Sequence, residues 1–154
     1  MAIEYYMNIP GVVGETTSAA HLNQIALASL TFGSYTNTDS SGLPTGSPIP
    51  RIVSITLPLN LSSMSLGQLL NDRTVIPSLT LFAYSPDGTV TGDILTIKLV
   101  NALVEAQSIY GLEGGSRVPT ESISLSYSAI EVTYKKKTAT AFVNGGSYLF
   151  PPKT

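Results

Sequence analysis

Cysteine and tryptophan are absent from this chain of 154 residues, histidine occurs once, and charged residues make up only 12%. Each scarcity removes a class of function. Without cysteine there is no disulfide framework, no thiolate nucleophile and no Cys-ligated metal. The lone imidazole, His21, could hold zinc only with carboxylates supplying the other ligands. No segment approaches the roughly 18 apolar residues of a membrane span, so no membrane insertion is expected. Met1 to Met7 has no basic stretch leading into an apolar core, so export by the general secretory route is not expected. A net charge of −2 and a pI near 5.2 argue against a nucleic-acid partner. The nucleophile elbow Gly-x-Ser-x-Gly, the phosphate loop with Gly-Lys-Ser/Thr and His-Glu-x-x-His are all missing.

What is present is serine, threonine and a period of two. The length fits one domain over 1–154. So few charges leave two explanations open: a monomer with a neutral hydroxyl surface, or a subunit whose faces meet other subunits. Ile25 to Gly33 reads as a long apolar strand ending on glycine. Val53, Ile55, Leu57, Leu59 and Leu61 alternate with polar residues and Pro58, a half-buried strand. Ile123, Leu125 and Tyr127 alternate with serines, then the apolar phase shifts to Ile130, Val132 and Tyr134. A slip of one residue predicts a bulge near Ser128-Ala129 in a continuous strand. The Asp93–Tyr110 stretch shifts phase in the same way between Leu99 and Val100. Long, bulged strands predict an all-β fold, an antiparallel sheet curled or closed into a barrel.

Turn chemistry divides the strands. Ser85-Pro-Asp-Gly88 supplies a turn, and Asn144-Gly-Gly146 predicts a terminal hairpin between Ala139–Val143 and Ser147–Phe150. Only Met64–Asn71 reads as helix, capped by Ser62-Ser63, with an apolar stripe of Met64, Leu66, Leu69 and Leu70. The segment from Thr36 to Pro50 is so rich in Gly, Pro and Ser that regular structure is not expected there. It reads as an extended loop stiffened by Pro44 and Pro48, more a docking arm than a random coil.

Candidate chemistry is thin. His21 would need a nucleophile and an orienting carboxylate, with Glu15 nearest in sequence and Asp93 the other acid to consider. The simpler reading has Glu15 and His21 making hydrogen bonds that pin a crossing segment. Gly111-Leu-Glu-Gly-Gly-Ser116 lacks the lysine of a phosphate loop and reads as a plain loop. Lys135-Lys-Lys137 marks a solvated strand end or, alternatively, a patch that steers acidic cargo. No catalytic residue, cofactor site or metal site is expected, and no enzyme activity.

In its order of elements the chain resembles the haemolysin-coregulated protein (Hcp) family. Gly11-Val-Val-Gly14-Glu15-Thr16 looks like that family's turn after the first strand, and His21, Ile25, Leu27, Ser29, Phe32 and Gly33 like its second strand. Thr36–Pro50 lies where the family has its extended loop. Asp93–Tyr110 resembles the long central strand. Glu121, Ser124-Leu-Ser-Tyr127, Ile130-Glu-Val132 and Tyr134 resemble the penultimate strand. The resemblance implies a structural subunit of the type VI secretion inner tube. Such subunits form homo-hexameric rings that stack into a tube with a spike protein at the tip and a contractile sheath around it. Small effector proteins ride in the lumen. It further implies assembly in the cytoplasm and secretion through the apparatus without a signal peptide. Asn37, Asp39, Gly42, Leu43, Pro44, Gly46, Pro48 and Ile49 would then make the ring-stacking contact. Gly11, Gly14, Glu15, His21, Gly33, Glu121, Tyr127 and Tyr134 would be structural. The loop is more neutral and proline-rich than is usual in the family.

Three other readings stay open: a tail-tube subunit of a phage or related contractile injection system, a sugar-binding β-sandwich, and a small-barrel enzyme. The second would use Tyr5, Tyr6, Tyr35 or Tyr148, and the third Glu15, His21 and Asp93.

Overall fold

The computed structural model describes residues 3–114 and 118–150, so Gly115 and Ser116 of the glycine-rich loop lie outside the described residues. The elements in chain order are β1 (Glu4–Asn8), β2 (Ile25–Leu27), β3 (Ser29–Thr31), β4 (Ser34–Thr38), β5 (Pro44–Pro50), β6 (Val53–Pro58), α1 (Ser63–Asn71), β7 (Ile76–Ser85), β8 (Gly92–Tyr110), β9 (Thr120–Ser126), β10 (Ala129–Lys137) and β11 (Phe142–Phe150). The fold is all-β with one short helix, and its ladders are antiparallel.

Strand β8 organises the molecule. Its first half pairs with β7 on one side and β10 on the other; its second half pairs with β9. One wing therefore runs β2-β1-β7-β8-β10-β11, and the other β3-β6-β9-β8. Between the wings the buried phase of β8 changes from Ile97 and Leu99 to Ala102 and Val104, as the apolar pattern predicts. Asn101 makes the change with φ of 52°, a left-handed conformation that asparagine tolerates better than most residues.

The partner edge bends at the same level, but by a break instead of a bulge. Ser126 pairs with Leu103 and Ala129 with Val100, so β9 and β10 follow one another down the same edge of β8. Tyr127 leaves the ladder and donates its hydroxyl to the Arg51 carbonyl at 2.8 Å. Ser128 is tied to the Val100 carbonyl through its N–H at 2.9 Å and its hydroxyl at 3.0 Å. The core lies where both wings turn their apolar faces inward. Met7, Ile25, Val53, Ile55, Leu57, Leu79, Leu81, Ile97, Leu99, Ile123 and Leu125 are at most 1% exposed. Burying such a side chain contributes about 1.5–3 kcal/mol, which is why the period-two pattern dominates the fold.

Other expectations are corrected. Ile25 to Gly33 is not one strand: β2 pairs with β1 and β3 with β6, and the change of partner falls at Ala28, whose N–H goes to the Thr56 carbonyl at 2.7 Å. The Val53 strand ends at Pro58, and Leu61 lies exposed beyond it. Helix α1 buries Leu66 and packs Leu69 and Leu70 against the core, while Met64 points to solvent. Ser62 occupies the N-cap position without a side-chain cap, because its hydroxyl turns back to the Asn60 amide oxygen. The terminal turn lies at Thr138–Ala141, closed by a 2.8 Å backbone bond. Gly145 and Gly146 instead sit within β11 at a bulge opposite Tyr134 and Lys135. Glycine is needed there because a Cβ on Gly145 would lie 2.3 Å from the Tyr134 ring.

Candidate functional site

The segment expected to lack regular structure is a two-stranded hairpin. β4 and β5 pair only with each other among the described residues and form a sheet of their own. The prolines fit because of where they fall. Pro44 and Pro50 end the ladder opposite Thr38 and Ser34, and Pro48 lies in the irregular stretch opposite Thr36. A missing N–H there removes no needed ladder bond. At the tip the Asp39 carboxylate accepts the N–H of Ser41 at 2.8 Å and of Leu43 at 3.0 Å. Gly42 takes φ of 82° to close the turn. The pre-formed tip presents Leu43, 62% exposed, beside Pro44. Asn37 and Gly46 flank the irregular stretch, and Ile49 pairs with Tyr35. At the base Arg51 lies 5.1 Å from the Tyr35 ring centroid and donates its backbone N–H to Gly33 O at 2.8 Å.

Beside the hairpin base, the outward face of the β3-β6-β9-β8 wing carries rows of hydroxyls, with the exposed Glu105 beside them at a bulge in β8. Its inward residues are Ile55, Leu57, Ile123 and Leu125, so the alternate positions must face out. Register lines them up in rows: Ser29, Thr56, Ser122 and Ser108 across the strands, then Thr31, Ser54, Ser124 and Ala106. Ser29 and Thr56 share a 2.6 Å hydrogen bond. No charged side chain stands in these rows. Single strands show the serine alternation, but the lateral alignment is a property of pairing.

The remaining singled-out residues hold the first crossing and the helix in place. Gly11 has φ of 87° after β1. Gly14 runs against the chain leading into β2, its N–H on Asn23 O at 2.7 Å, and a Cβ there would stand 2.1 Å from Gln24 O. Glu15 reaches away from His21 and accepts the Leu61 N–H at 2.8 Å. His21, 3% exposed, stacks on Tyr6 with centroids 4.7 Å apart and lies 4.6 Å from the Phe82 centroid. Its Nε2 is 2.7 Å from Asp93 Oδ1 and its Nδ1 is 2.9 Å from Gln24 Oε1. Burial is the main cause that raises the Tyr6 pKa above the ordinary tyrosine value. Gly33 has open space where a Cβ would go. Tyr134 is exposed and lies over Gly145.

Glu121 is fully buried, in phase with Ile123 and Leu125. Its carboxylate accepts Ser63 Oγ–H at 2.7 Å and the Gln107 amide, which also donates to Ser63 O at 3.2 Å. This clasp ties α1 to β8 and β9. Gln107 and Ser63 escape a reading of sequence alone; the available signal was a carboxylate at a core phase, which must find donors nearby.

Of the three acid/base candidates, the structure brings His21 to Asp93 and holds Glu15 elsewhere. Both His21 nitrogens already face oxygen partners, and Glu15 bonds to a different segment. Among the described residues no group of three or more His, Asp or Glu could hold a metal ion. Tyr5 and Tyr6 lie on β1, Tyr35 on β4 and Tyr148 on β11, with Tyr6 buried beneath His21, so they form no shared platform. Lys137 is drawn inward, its Nζ on Ser85 Oγ at 2.9 Å and Asp87 O at 2.6 Å, while Lys135 and Lys136 are exposed. No described helix is long and apolar enough to cross a membrane.

The fold is similar to that of solved structures. One described as a type six secretion system protein matches with a TM-score of 0.86 and 22% identity, covering 95% of this chain and 91% of that one. Hcp1 from Salmonella typhimurium matches with a TM-score of 0.77 and 18% identity, over 97% of this chain and 93% of its own. Hcp3 from Pseudomonas aeruginosa matches with a TM-score of 0.71 and 15% identity, over 99% and 100% of the two chains. No curated protein sequence matches. The family model described as "Type VI secretion system effector, Hcp" matches residues 6–134. With that match running from β1 through the crossing and the clasp into β10, the chain belongs to the Hcp family of type VI secretion system effectors.

Proposed function

We propose that this chain is a subunit of the type VI secretion inner tube, forming hexameric rings that stack into a tube and carry small effectors in the lumen. A spike protein at the tip and a contractile sheath around the tube complete the partners, and the subunit leaves the cytoplasm through that apparatus. Family membership supports the reading. One observation on the chain itself carries it: the β4–β5 hairpin stands exposed, bears no charge but Asp39 between Ser34 and Pro50, and pairs with no other strand among the described residues. A pre-formed, apolar-tipped arm can bury its surface only against a second molecule.

The hydroxyl rows of the β3-β6-β9-β8 wing suit a lumen wall. Serine and threonine both donate and accept, so they stay hydrated when the lumen is empty and bond to a passing polypeptide without selecting its charge. In this reading residues 1–154 form one domain and the sheet closes as a barrel. Support for closure comes from β2 and β3, the two ends of the ladder path, which are joined through Ala28 bonded to Thr56. The subunit works by assembly, with no cofactor and no catalysis. A head-to-tail ring of this sort closes when the rotation between neighbours closes. Light scattering with negative-stain imaging tests the reading: hexamer mass and ring outlines are expected, and a monomer across a wide concentration range would overturn it.

A further inference from the structure

Asn144 is the only asparagine in the chain that is followed by glycine, and β11 holds the pair in an unusual setting. The ladder runs from Tyr134 opposite Gly146 to Lys135 opposite Asn144, so Gly145 is the bulge residue and has no place in the register. Both members of the pair are exposed. The Asn144 side chain is already aimed, its Oδ1 accepting the Gly146 N–H at 3.0 Å. That donor polarises the side-chain carbonyl and would steady an oxyanion formed on it. The residue between them must be glycine, because a Cβ would lie 2.3 Å from the Tyr134 ring. Packing against Tyr134 therefore leaves the nitrogen next to Asn144 without a side chain to shield it. Asn60 is the contrast. Its Oδ1 accepts the Ser62 N–H at 2.8 Å in a similar turn, but its Nδ2 donates to Pro58 O at 2.9 Å and the next residue is Leu61.

We propose that Asn144 is a site of spontaneous deamidation that rewrites the start of β11. The Gly145 nitrogen gives its proton to solvent and bonds to Asn144 Cγ. The Cγ–Nδ2 bond breaks, and Nδ2 leaves as ammonia with a proton returned from water. The succinimide so formed takes up one water. Opening at Cγ gives aspartate; opening at the main-chain carbonyl gives isoaspartate, with the chain then running through Cβ and Cγ. Either product makes the chain one charge more negative, at a position opposite Lys135. Aspartate keeps the register and gains an opposite-charge pair across the ladder. Isoaspartate adds an atom to the main chain, so Val143 opposite Lys136 and Phe142 opposite Lys137 lose register with the rest of β11. Phe142, whose ring would lie 2.9 Å from a Cβ on Gly92, is then loosened from the start of β8.

The test incubates the full chain at mildly alkaline pH, folded and in parallel unfolded in guanidinium. Peptide mass spectrometry reads deamidation, and enzymatic methylation reads isoaspartate. Conversion at Asn144 is expected to be as fast in the folded chain as in the unfolded one, or faster, while Asn60 converts more slowly when folded. Conversion at Asn144 about tenfold slower in the folded chain would mean that the ladder shields the pair, and overturns the proposal. Asn144→Gln, whose amide stands one carbon further from the main chain, is expected to abolish the acidic species on isoelectric focusing. An acidic species that persists in this variant places the reaction elsewhere and overturns the assignment. Hydrogen exchange at Phe142 and Val143 is expected to speed up in the isoaspartate fraction; unchanged exchange there overturns the loss of register.

Discussion

Replacing Gly14 by alanine adds one methyl group where the crossing segment has no room for it. The new Cβ would stand 2.1 Å from Gln24 O, 2.5 Å from Gln24 C and 2.9 Å from Ile25 N, all backbone atoms that cannot rotate away. The two chain segments must separate by more than an ångström to restore ordinary contact. That displacement breaks the Gly14 N–H bond to Asn23 O and loosens the Gln24 side chain that meets His21. Forcing a methyl group into a packed site costs about 1–3 kcal/mol, and the lost hydrogen bond about 1 kcal/mol more. A loss of roughly 2–4 kcal/mol lowers Tm by about 4–16 °C for a domain of this size. Gly33→Ala is the matched control, since nothing lies within 4 Å of its Cβ position and its φ is not positive. Urea and thermal melts of both variants against the parent measure the difference. A Gly14→Ala Tm within about 2 °C of the Gly33→Ala value, inside the scatter of surface substitutions, would refute the close-approach argument.

Glu121→Ala takes the acceptor from the Ser63 hydroxyl proton, at about 1–3 kcal/mol for a buried donor left unmet, while the Gln107 amide keeps its bond to Ser63 O; a lower urea midpoint with an unchanged slope is expected, and Glu121→Gln should lose less. Burial first, then the neighbouring Tyr148, raises the Tyr127 pKa. The folded chain therefore holds the phenolic proton more tightly than the unfolded chain, so this contribution is complete below about pH 10 and lost as pH rises past the folded pKa. Tyr127→Phe should remove that alkaline loss, measured as the difference between parent and variant melts from neutral to alkaline pH. Because the hairpin tip is apolar and Asp39 is engaged in its own turn, ring stacking should persist between about 0.05 and 0.5 M salt. Sedimentation across that range checks this, and steep dissociation at moderate salt would count against an apolar contact.

The parts of the fold legible in the sequence were those that obey a local period. Ile123 and Leu125 against their serines, and the shift from Leu99 to Ala102, record which face meets the core, and that record survives in one strand at a time. Pairing is not local, and the misreadings follow from this. Pro44, Pro48 and Pro50 look incompatible with a strand until the ladder shows which of their positions need no N–H donor. Asn144-Gly-Gly146 carries turn chemistry, yet Gly145 is required by the Tyr134 ring across the ladder. The partnership of His21 with Asp93 spans 72 positions, and no spacing rule reaches that far. The hydroxyl face was half legible: each strand displays its own serines, but only register turns them into rows.

Strand β8 has a mechanical consequence. Nineteen residues run unbroken through both wings, bonded to β7, β10 and β9 along the way. A push along this strand at one wing reaches the other through covalent backbone, with no flexible loop in the path. Sliding β8 past its neighbours would load many ladder bonds together, whereas peeling an edge strand loads them one after another. The molecule is thus stiffest along the strand and gives first at its edges, β2, β3 and β11, each paired with a single neighbour among the described residues. Under axial thrust such a subunit behaves as a strut, and its first failure would be the peeling of an edge strand, not a slip of β8.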